Sequence, residues 1–200
     1  MCFSFEVSLG TFLFSWGVSL YLLRKNLTKY QRQNVIFLMI FSSMQISDAI
    51  LWYNKMKKNK INLYTTSYLI PFLLSLQLIY NNFIRLESNE IMDIIVRLIT
   101  IYFVYSMFAR GGKYSTASCD SYFSSPIWGG EEIKFYVLFI FSLLVGYPNY
   151  EIIIFWIMTL LVSQFITNSG YGSMWCAIAN SVAVYYLYKF YNNIHLILII

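Results

Sequence analysis

Charged residues are scarce in this sequence, and their scarcity excludes an ordinary water-soluble globular domain. Asp, Glu, Lys and Arg make up 12% of the 200 residues, whereas 58% are hydrophobic and the mean hydropathy is +0.59. A soluble domain carries about 25% charged residues, because its surface faces water. The sequence therefore predicts an all-α, polytopic transmembrane helical bundle, residues 1–200, with lipid as its solvent and no soluble domain.

Catalytic and metal-binding motifs are missing as well. A single histidine, His195, cannot build the multi-histidine metal centre of an intramembrane metallohydrolase. The chain has no GxSxG elbow, no HExxH motif and no P-loop. A retinal pigment needs a lysine deep in its last helix, whereas Lys189 falls near the helix end. The sequence thus gives no positive indication of an enzyme, and we expect neither a cofactor nor a metal.

The net charge of +5 does not indicate a nucleic-acid partner. No nucleic-acid-binding motif is present, and the basic residues fall in short runs between apolar segments. Such runs favour loops that lie against anionic headgroups, so membrane lipids are the first expected partners. Basic loops fall on both faces of the predicted bundle, so the positive-inside rule does not fix its orientation.

Seven apolar runs are long enough to be membrane spans. A helix needs about 20 mostly apolar residues to cross the hydrocarbon core, and its backbone groups must bond within the segment. The predicted spans are residues 7–23, 34–53, 63–83, 91–109, 133–147, 152–168 and 174–191. Residues 147–151 predict a tight turn between the fifth and sixth spans, and one long helix kinked at Pro148 is the alternative.

One long polar segment, residues 110–132, separates the fourth and fifth spans. It has paired glycines near both ends and several aromatic residues, which predict that it folds over one end of the bundle. Seven spans place the only three cysteines, Cys2, Cys119 and Cys176, on that same face. A disulfide among them is one expectation if that face is oxidising, and free thiols are the alternative.

Strongly polar side chains inside the predicted spans are the best indication of a site, because lipid disfavours them. At a rise of about 1.5 Å per residue, three spans bring such residues to nearly the same depth, with the Trp175 side chain at their rim. We therefore predict a ligand-binding cluster, covered by the long loop, that is formed by Gln45, Asp48, Gln164, Asn180 and Trp175. The alternative is helix–helix association, in which these groups satisfy one another.

Asp93 and Arg97 form a separate pair of ionisable residues in the fourth predicted span. They are four residues apart on one helix face, so we expect them to pair with each other or to extend to the headgroups.

The opening Met1-Cys2-Phe3-Ser4, followed by a helix that ends in basic residues, resembles a family of uncharacterised small membrane proteins. Its members begin MCFS, have about seven predicted helices and occur in microbes, algae and large DNA viruses. Ser43-Met44-Gln45 resembles a stretch of the family's second helix, and Trp175-Cys176 resembles the pair that opens its last helix. The family's second-helix glutamate is absent here, and Asp48 is its candidate replacement. The resemblance implies a seven-helix membrane fold, and the family has no assigned activity.

Two functions follow from these observations. The first is the binding or transport of a small molecule or ion at the Asp48 cluster, which predicts a solvent-connected cavity. The second is a structural or assembly role in an organelle or virion membrane, which predicts a fully packed bundle that forms oligomers. The abundance of residues with AT-rich codons, such as Phe, Tyr, Ile, Asn and Lys, is compatible with a viral origin.

Overall fold

Seven helices form the structure, a computed structural model that describes residues 4–86, 90–109, 113–118, 125–131, 133–167 and 169–189. The all-α class is confirmed for these residues. In chain order the helices are α1 (Phe5–Leu23), α2 (Lys29–Tyr53), α3 (Lys60–Arg85), α4 (Ile91–Ala109), α5 (Phe135–Gly146), α6 (Tyr150–Ile166) and α7 (171–189). By length and composition α1 to α4 can each cross a membrane, whereas α5 and α6 are shorter apolar helices.

Helix α2 begins five residues before the predicted second span because of its N-terminal cap. The Thr28 hydroxyl accepts a hydrogen bond from Gln31 N at 3.3 Å, and the Gln31 side chain accepts one from Thr28 N at 2.9 Å. This reciprocal capping box satisfies two backbone donors that a helix start leaves free. The helix is interrupted at Ser43, whose hydroxyl donates to Met39 O at 2.7 Å, and such back-bonding bends helices.

Helix α3 contains two π-helical stretches, Thr65–Leu69 and Tyr80–Arg85. The first ends just before Pro71, which lacks the N–H that a regular α-helix would use there. Helix α7 is also irregular, because residues 171–179 and 182–189 are separated by a turn at Asn180 and Ser181. These irregularities free backbone carbonyls inside the bundle, where side chains bond several of them.

Contacts between loops place consecutive helices antiparallel. At one end of the bundle, Asn62 Nδ2 at the start of α3 donates to Ser115 O at 2.9 Å. At the other end, the Tyr30 hydroxyl at the start of α2 accepts from Arg85 Nη2 at 3.0 Å and from Asn149 Nδ2 at 3.2 Å. We call these the cap end and the Tyr30 end.

An aromatic chain crosses the centre of the core and joins four helices. Phe41 of α2 lies 4.5 Å from Trp156 of α6, between ring centroids, and Trp156 lies 5.8 Å from Trp175 of α7. Trp175 in turn contacts Phe141 of α5 edge-to-face at 6.0 Å. Such aromatic pairs contribute favourable free energy beyond that of burial alone, so these ring contacts fix α7 against the rest of the bundle.

Helices α5 and α6 are separate, so the alternative of one long kinked helix is wrong. Helix α5 ends at Gly146, and α6 starts at Tyr150 and packs back against α5. The approach is closest at Gly146, where an added Cβ would lie 2.9 Å from the backbone N and Cα of Ile153. Only glycine leaves room for this turn without moving α6.

We expect the substitution Gly146→Ala to destabilise the protein by roughly 1–3 kcal/mol, the usual range for forcing a methyl group into a packed interior. The measurement is the free energy of unfolding in detergent. Gly17→Ala is the matched control, because an added Cβ at Gly17 meets no atom within 4 Å. Equal stability of the two variants would contradict the close approach of α5 and α6.

Candidate functional site

Asp48 lies on α2 and is 1% exposed, with both carboxylate oxygens hydrogen-bonded. Oδ1 accepts from the Trp128 indole Nε1 at 2.8 Å, and Oδ2 accepts from the Ser173 hydroxyl at 2.6 Å. Trp128 lies in the long loop, and Ser173 lies in the first turn of α7. Asp48 therefore ties three parts of the chain together in the interior of the bundle.

The segment that carries Trp128 has regular secondary structure of its own. Strands β1 (Thr116–Ala117) and β2 (Pro126–Ile127) pair antiparallel, with Thr116 opposite Ile127. The 3₁₀ turn Trp128–Gly130 follows, and both of its glycines have positive φ, +79° at Gly129 and +71° at Gly130. We call residues 113–118 and 125–131 the cap segment. Its glycine turn lets the chain reverse direction immediately after the indole enters the bundle.

Serine hydrogen bonds dock the cap segment onto the start of α7. The Ser125 hydroxyl donates to Gly170 O at 2.9 Å, and the hydroxyls of Ser118 and Ser169 bond each other. Gly170 has a φ of +74°, and a Cβ built there would lie 2.2 Å from Ser125 Oγ. Glycine is required here by both the backbone conformation and the closeness of Ser125.

We expect Gly170→Ala to loosen the cap segment, because the left-handed conformation disfavours alanine by about 1–2 kcal/mol and the methyl group displaces Ser125. Limited proteolysis in detergent should cut the cap segment at least several-fold faster than in the wild type. Gly172→Ala is the control, since its Cβ would meet neighbours at an ordinary 3.5 Å. Equal cleavage rates for both variants would contradict the docked arrangement.

A cavity of about 430 Å³ lies beneath the cap segment, between α3, α4 and α5. Its walls are mostly apolar and include Ile70, Leu74, Phe103, Met107 and Phe141. Trp128 also lines the cavity, and its indole N–H donates to Asp48. Asp48 itself does not line the cavity.

The mouth of this cavity carries charge. Lys113 Nζ lies 2.5 Å from Glu131 Oε2, and Lys134 is the third charged residue that lines the cavity. The hydrogen bond from Lys113, together with its positive charge, lowers the pKa of the exposed Glu131 carboxyl. The cavity thus combines an apolar interior with a charged opening, an arrangement suited to an amphiphilic molecule.

The structure places Gln45 and Asn180 in the interior, but each has partners other than Asp48. Gln45 is 0% exposed, and its Oε1 accepts from the Thr11 hydroxyl at 3.3 Å. Asn180 Oδ1 accepts from the Ser15 hydroxyl at 3.0 Å, and Asn180 Nδ2 donates to the carbonyl of residue 176 at 2.8 Å. Small hydroxyl residues of α1 therefore bond both amide oxygens, whereas Gln45 Nε2 has no partner among the described residues. The described hydrogen bonds do not join these amides into one cluster with Asp48.

The structure does not bring Gln164 to Asp48, because the Gln164 side chain is exposed on α6. The buried positions of α6 are Trp156, Thr159, Leu160 and Ser163, and Thr167 continues the stripe just after the helix, so buried positions recur every three to four residues. Gln164 falls one residue beyond this stripe and adjoins Phe165, which is 93% exposed. The rise per residue placed Gln164 at nearly the same depth as Asp48, but it did not determine the direction of the Gln164 side chain.

Trp175 belongs to the core rather than to the rim of a site. Its side chain is 1% exposed, and its Nε1 donates to Thr159 Oγ1 at 3.0 Å and to Trp156 O at 3.2 Å. These bonds join α7 to α6. The residues that do meet Asp48, Trp128 and Ser173, were not among the predicted site residues, although a tryptophan followed by two glycines in a long loop was the available signal.

Among the cysteines, Cys176 is a buried free thiol. Cys2 and Cys119 lie outside the described residues, as do Asn168 and His195, so a disulfide between Cys2 and Cys119 stays a prediction. In the described part of the chain, no three His, Cys, Asp or Glu residues are grouped so that they could hold a metal ion.

A second polar region lies at the Tyr30 end, where α3 finishes in its π-helical stretch. The Tyr147 hydroxyl donates to Asp93 Oδ1 at 2.7 Å. Arg97 Nε donates to Asn82 O at 3.1 Å, and its Nη2 donates to Leu86 O at 3.0 Å. Arg97 thus bonds carbonyls that the π-helical geometry and the helix end leave without a regular partner.

Comparison of the chain with protein-family models, with curated proteins and with solved structures gives no match. The resemblance to the MCFS-type membrane proteins therefore stays a prediction.

Proposed function

We propose that this chain is a multi-pass integral membrane protein with seven spans that binds an amphiphilic small molecule beneath its cap segment. Four helices are long and apolar enough to cross a membrane by themselves. The outer face of α4 exposes Ile94, Leu98 and Ile101, which would form an unfavourable apolar patch in water but suits a lipid-facing helix. Helix α5 has 12 residues, about 18 Å, so it would cross the hydrocarbon core only together with the residues that flank it.

One observation carries the binding proposal: the Trp128 indole is at once a wall of the 430 Å³ cavity and a donor to the buried Asp48. A molecule in the cavity would contact the cap segment, and the position of the cap segment depends on Asp48. Asp48 accordingly acts as a positioning residue for the cavity wall, and Trp128 is the residue that contacts the ligand.

The shape and chemistry of the cavity suggest the class of ligand. Apolar walls of α3, α4 and α5 suit an alkyl or isoprenoid body, whereas Lys113, Glu131 and Lys134 at the mouth suit a polar or charged head. The volume is within the range of ordinary small-molecule sites. Glu131 is the one carboxylate among these described lining residues, and it is paired with Lys113, so the lining offers little negative charge for a cation alone.

Mass spectrometry of small molecules that co-purify in a mild detergent tests this proposal. Ser106 lines the cavity, so Ser106→Phe should fill part of it and remove the bound molecule. Ile101→Phe, on the exposed face of the same helix, is the matched control and should retain it. Asp48→Ala should also lose the molecule, through release of Trp128. The same molecules in all four preparations would contradict the proposal.

A structural or assembly role is the second candidate, and the satisfied hydrogen bonds of Asp48 favour it. With both oxygens bonded, Asp48 needs no ligand, and its role is then that of a tie between α2, the cap segment and α7. This role predicts that the purified protein carries only bulk lipid and forms a defined oligomer through exposed helices such as α4. Native mass spectrometry would distinguish the two functions by the mass of bound ligand or of a second copy.

A further inference from the structure

A second cavity, of about 390 Å³, lies at the Tyr30 end between α2, α6 and α7. It shares no lining residue with the cavity beneath the cap segment, so nothing in the proposed function accounts for it. Its walls are largely aromatic and include Phe37, Phe41, Phe155, Trp156 and Tyr186. Aromatic faces and edges of this kind favour a flat ring system over a flexible alkyl chain.

Two residues lining this cavity have polar atoms with no hydrogen-bond partner among the described residues. They are the acceptor Asn34 Oδ1 and the donor Trp156 Nε1, and their side chains are 7% and 3% exposed. Buried polar atoms are nearly always paired, so an unpaired acceptor and an unpaired donor beside one cavity indicate a missing partner. A hydroxyl group can supply both, because it donates one hydrogen bond and accepts another.

The rim of the cavity is positively charged. Lys189 lines it, with Nζ 5.6 Å from the centroid of the Tyr185 ring. Arg85 donates to the hydroxyl of Tyr30, another rim residue. The described lining residues include no Asp or Glu, so this rim would attract a negative group.

We propose that this cavity binds a planar aromatic anion whose hydroxyl lies at the buried end, near Asn34 and Trp156, and whose negative group lies near Lys189. The aromatic walls hold the ring, the hydroxyl satisfies the two unpaired atoms, and the lysine neutralises the charge. This site lies at the opposite end of the bundle from the cap segment, so it can be present or absent independently of the proposed function.

The probe is 6-hydroxy-2-naphthoate, added to the full chain in nanodiscs of zwitterionic phospholipid. Binding is followed by energy transfer from tryptophan, because Trp156 would lie in contact with the naphthalene ring. 2-Naphthoate has the same ring and charge but no hydroxyl, and we expect it to bind at least tenfold more weakly. Failure of the hydroxylated probe to bind, or equal binding of both probes, would overturn the proposal.

Two variants and one control identify the site. Asn34→Leu and Trp156→Phe each remove one unpaired atom and should weaken binding of the hydroxylated probe at least tenfold. Trp16→Phe removes one tryptophan emitter on α1, whose indole bonds Met39 O, and should leave the affinity unchanged. The same affinity in all three variants would place the probe elsewhere and overturn the proposal.

Protein stability separates loss of binding from loss of folding. Only Oδ1 of Asn34 is unpaired, because the Asn34 side chain also hydrogen-bonds the Tyr30 hydroxyl. Asn34→Leu removes that bond as well, so the variant should melt below the wild type while staying folded at the assay temperature. Wild-type affinity for the probe in the folded Asn34→Leu variant would overturn the site.

Discussion

Replacing Asp48 by leucine is expected to destabilise the protein by roughly 2–6 kcal/mol, because it leaves two buried donors without an acceptor at about 1–3 kcal/mol each. Those donors are Trp128 Nε1 and the Ser173 hydroxyl, 2.8 Å and 2.6 Å from the carboxylate oxygens. The free energy of unfolding in detergent measures the effect. Asp48→Asn should lose much less, about 1 kcal/mol, because its amide oxygen can accept from the indole and its amide nitrogen can donate to the serine oxygen.

A triple variant tests the cause of this loss. When both partners of a buried hydrogen bond are replaced by apolar groups, the penalty largely disappears. Combining Asp48→Leu with Trp128→Phe and Ser173→Ala should therefore recover most of the stability lost by Asp48→Leu alone. If the triple variant is as unstable as the sum of its members, the three residues act independently and the tie described here does not exist.

The same variants distinguish between the two candidate functions. If Asp48 only ties the helices, the wild type and all the variants should carry only bulk lipid, while the triple variant regains stability. If Asp48 positions Trp128 for a ligand, stability should return while the ligand does not, because phenylalanine at position 128 is no longer held by a hydrogen bond. Stability and ligand content thus respond differently to one set of substitutions.

Composition and apolar run length were sufficient to predict the helices. Both signals reflect the transfer of apolar side chains out of water, which depends little on where a side chain points. The capping box at Thr28 and Gln31 could also have been read from the sequence, since it depends on residues three apart. It would have placed the start of α2 at Lys29.

The site residues were harder to predict because they depend on the direction of side chains and on loop structure. Asp48 was recognised as a buried carboxylate, but its partners come from residues 80 and 125 positions away in the chain. Gln164 shows the limit of depth alone, since a change of one position on a helix turns a side chain by about 100°. Helical periodicity around Trp156, Leu160 and Ser163 would have excluded it from the interior.

The tryptophan at position 175 provides the second large expected effect. Trp175→Ala should destabilise the protein by about 3–5 kcal/mol, as for other large-to-small substitutions in a core, because it is the largest of the fully buried side chains described. It also removes the bonds from Nε1 to Thr159 Oγ1 and Trp156 O, which join α7 to α6. Thermal unfolding in detergent, followed by circular dichroism, measures the loss.

Comparison with a conservative variant separates packing from ligand binding at Trp175. Trp175→Phe keeps an aromatic ring against Trp156 and Phe141 but has no N–H, so it should lose only about 1–2 kcal/mol. Because Trp175 lines neither cavity, the phenylalanine variant should retain co-purifying molecules and bind the naphthoate probe like the wild type. Loss of either ligand in a folded Trp175→Phe variant would show that Trp175 takes part in ligand binding.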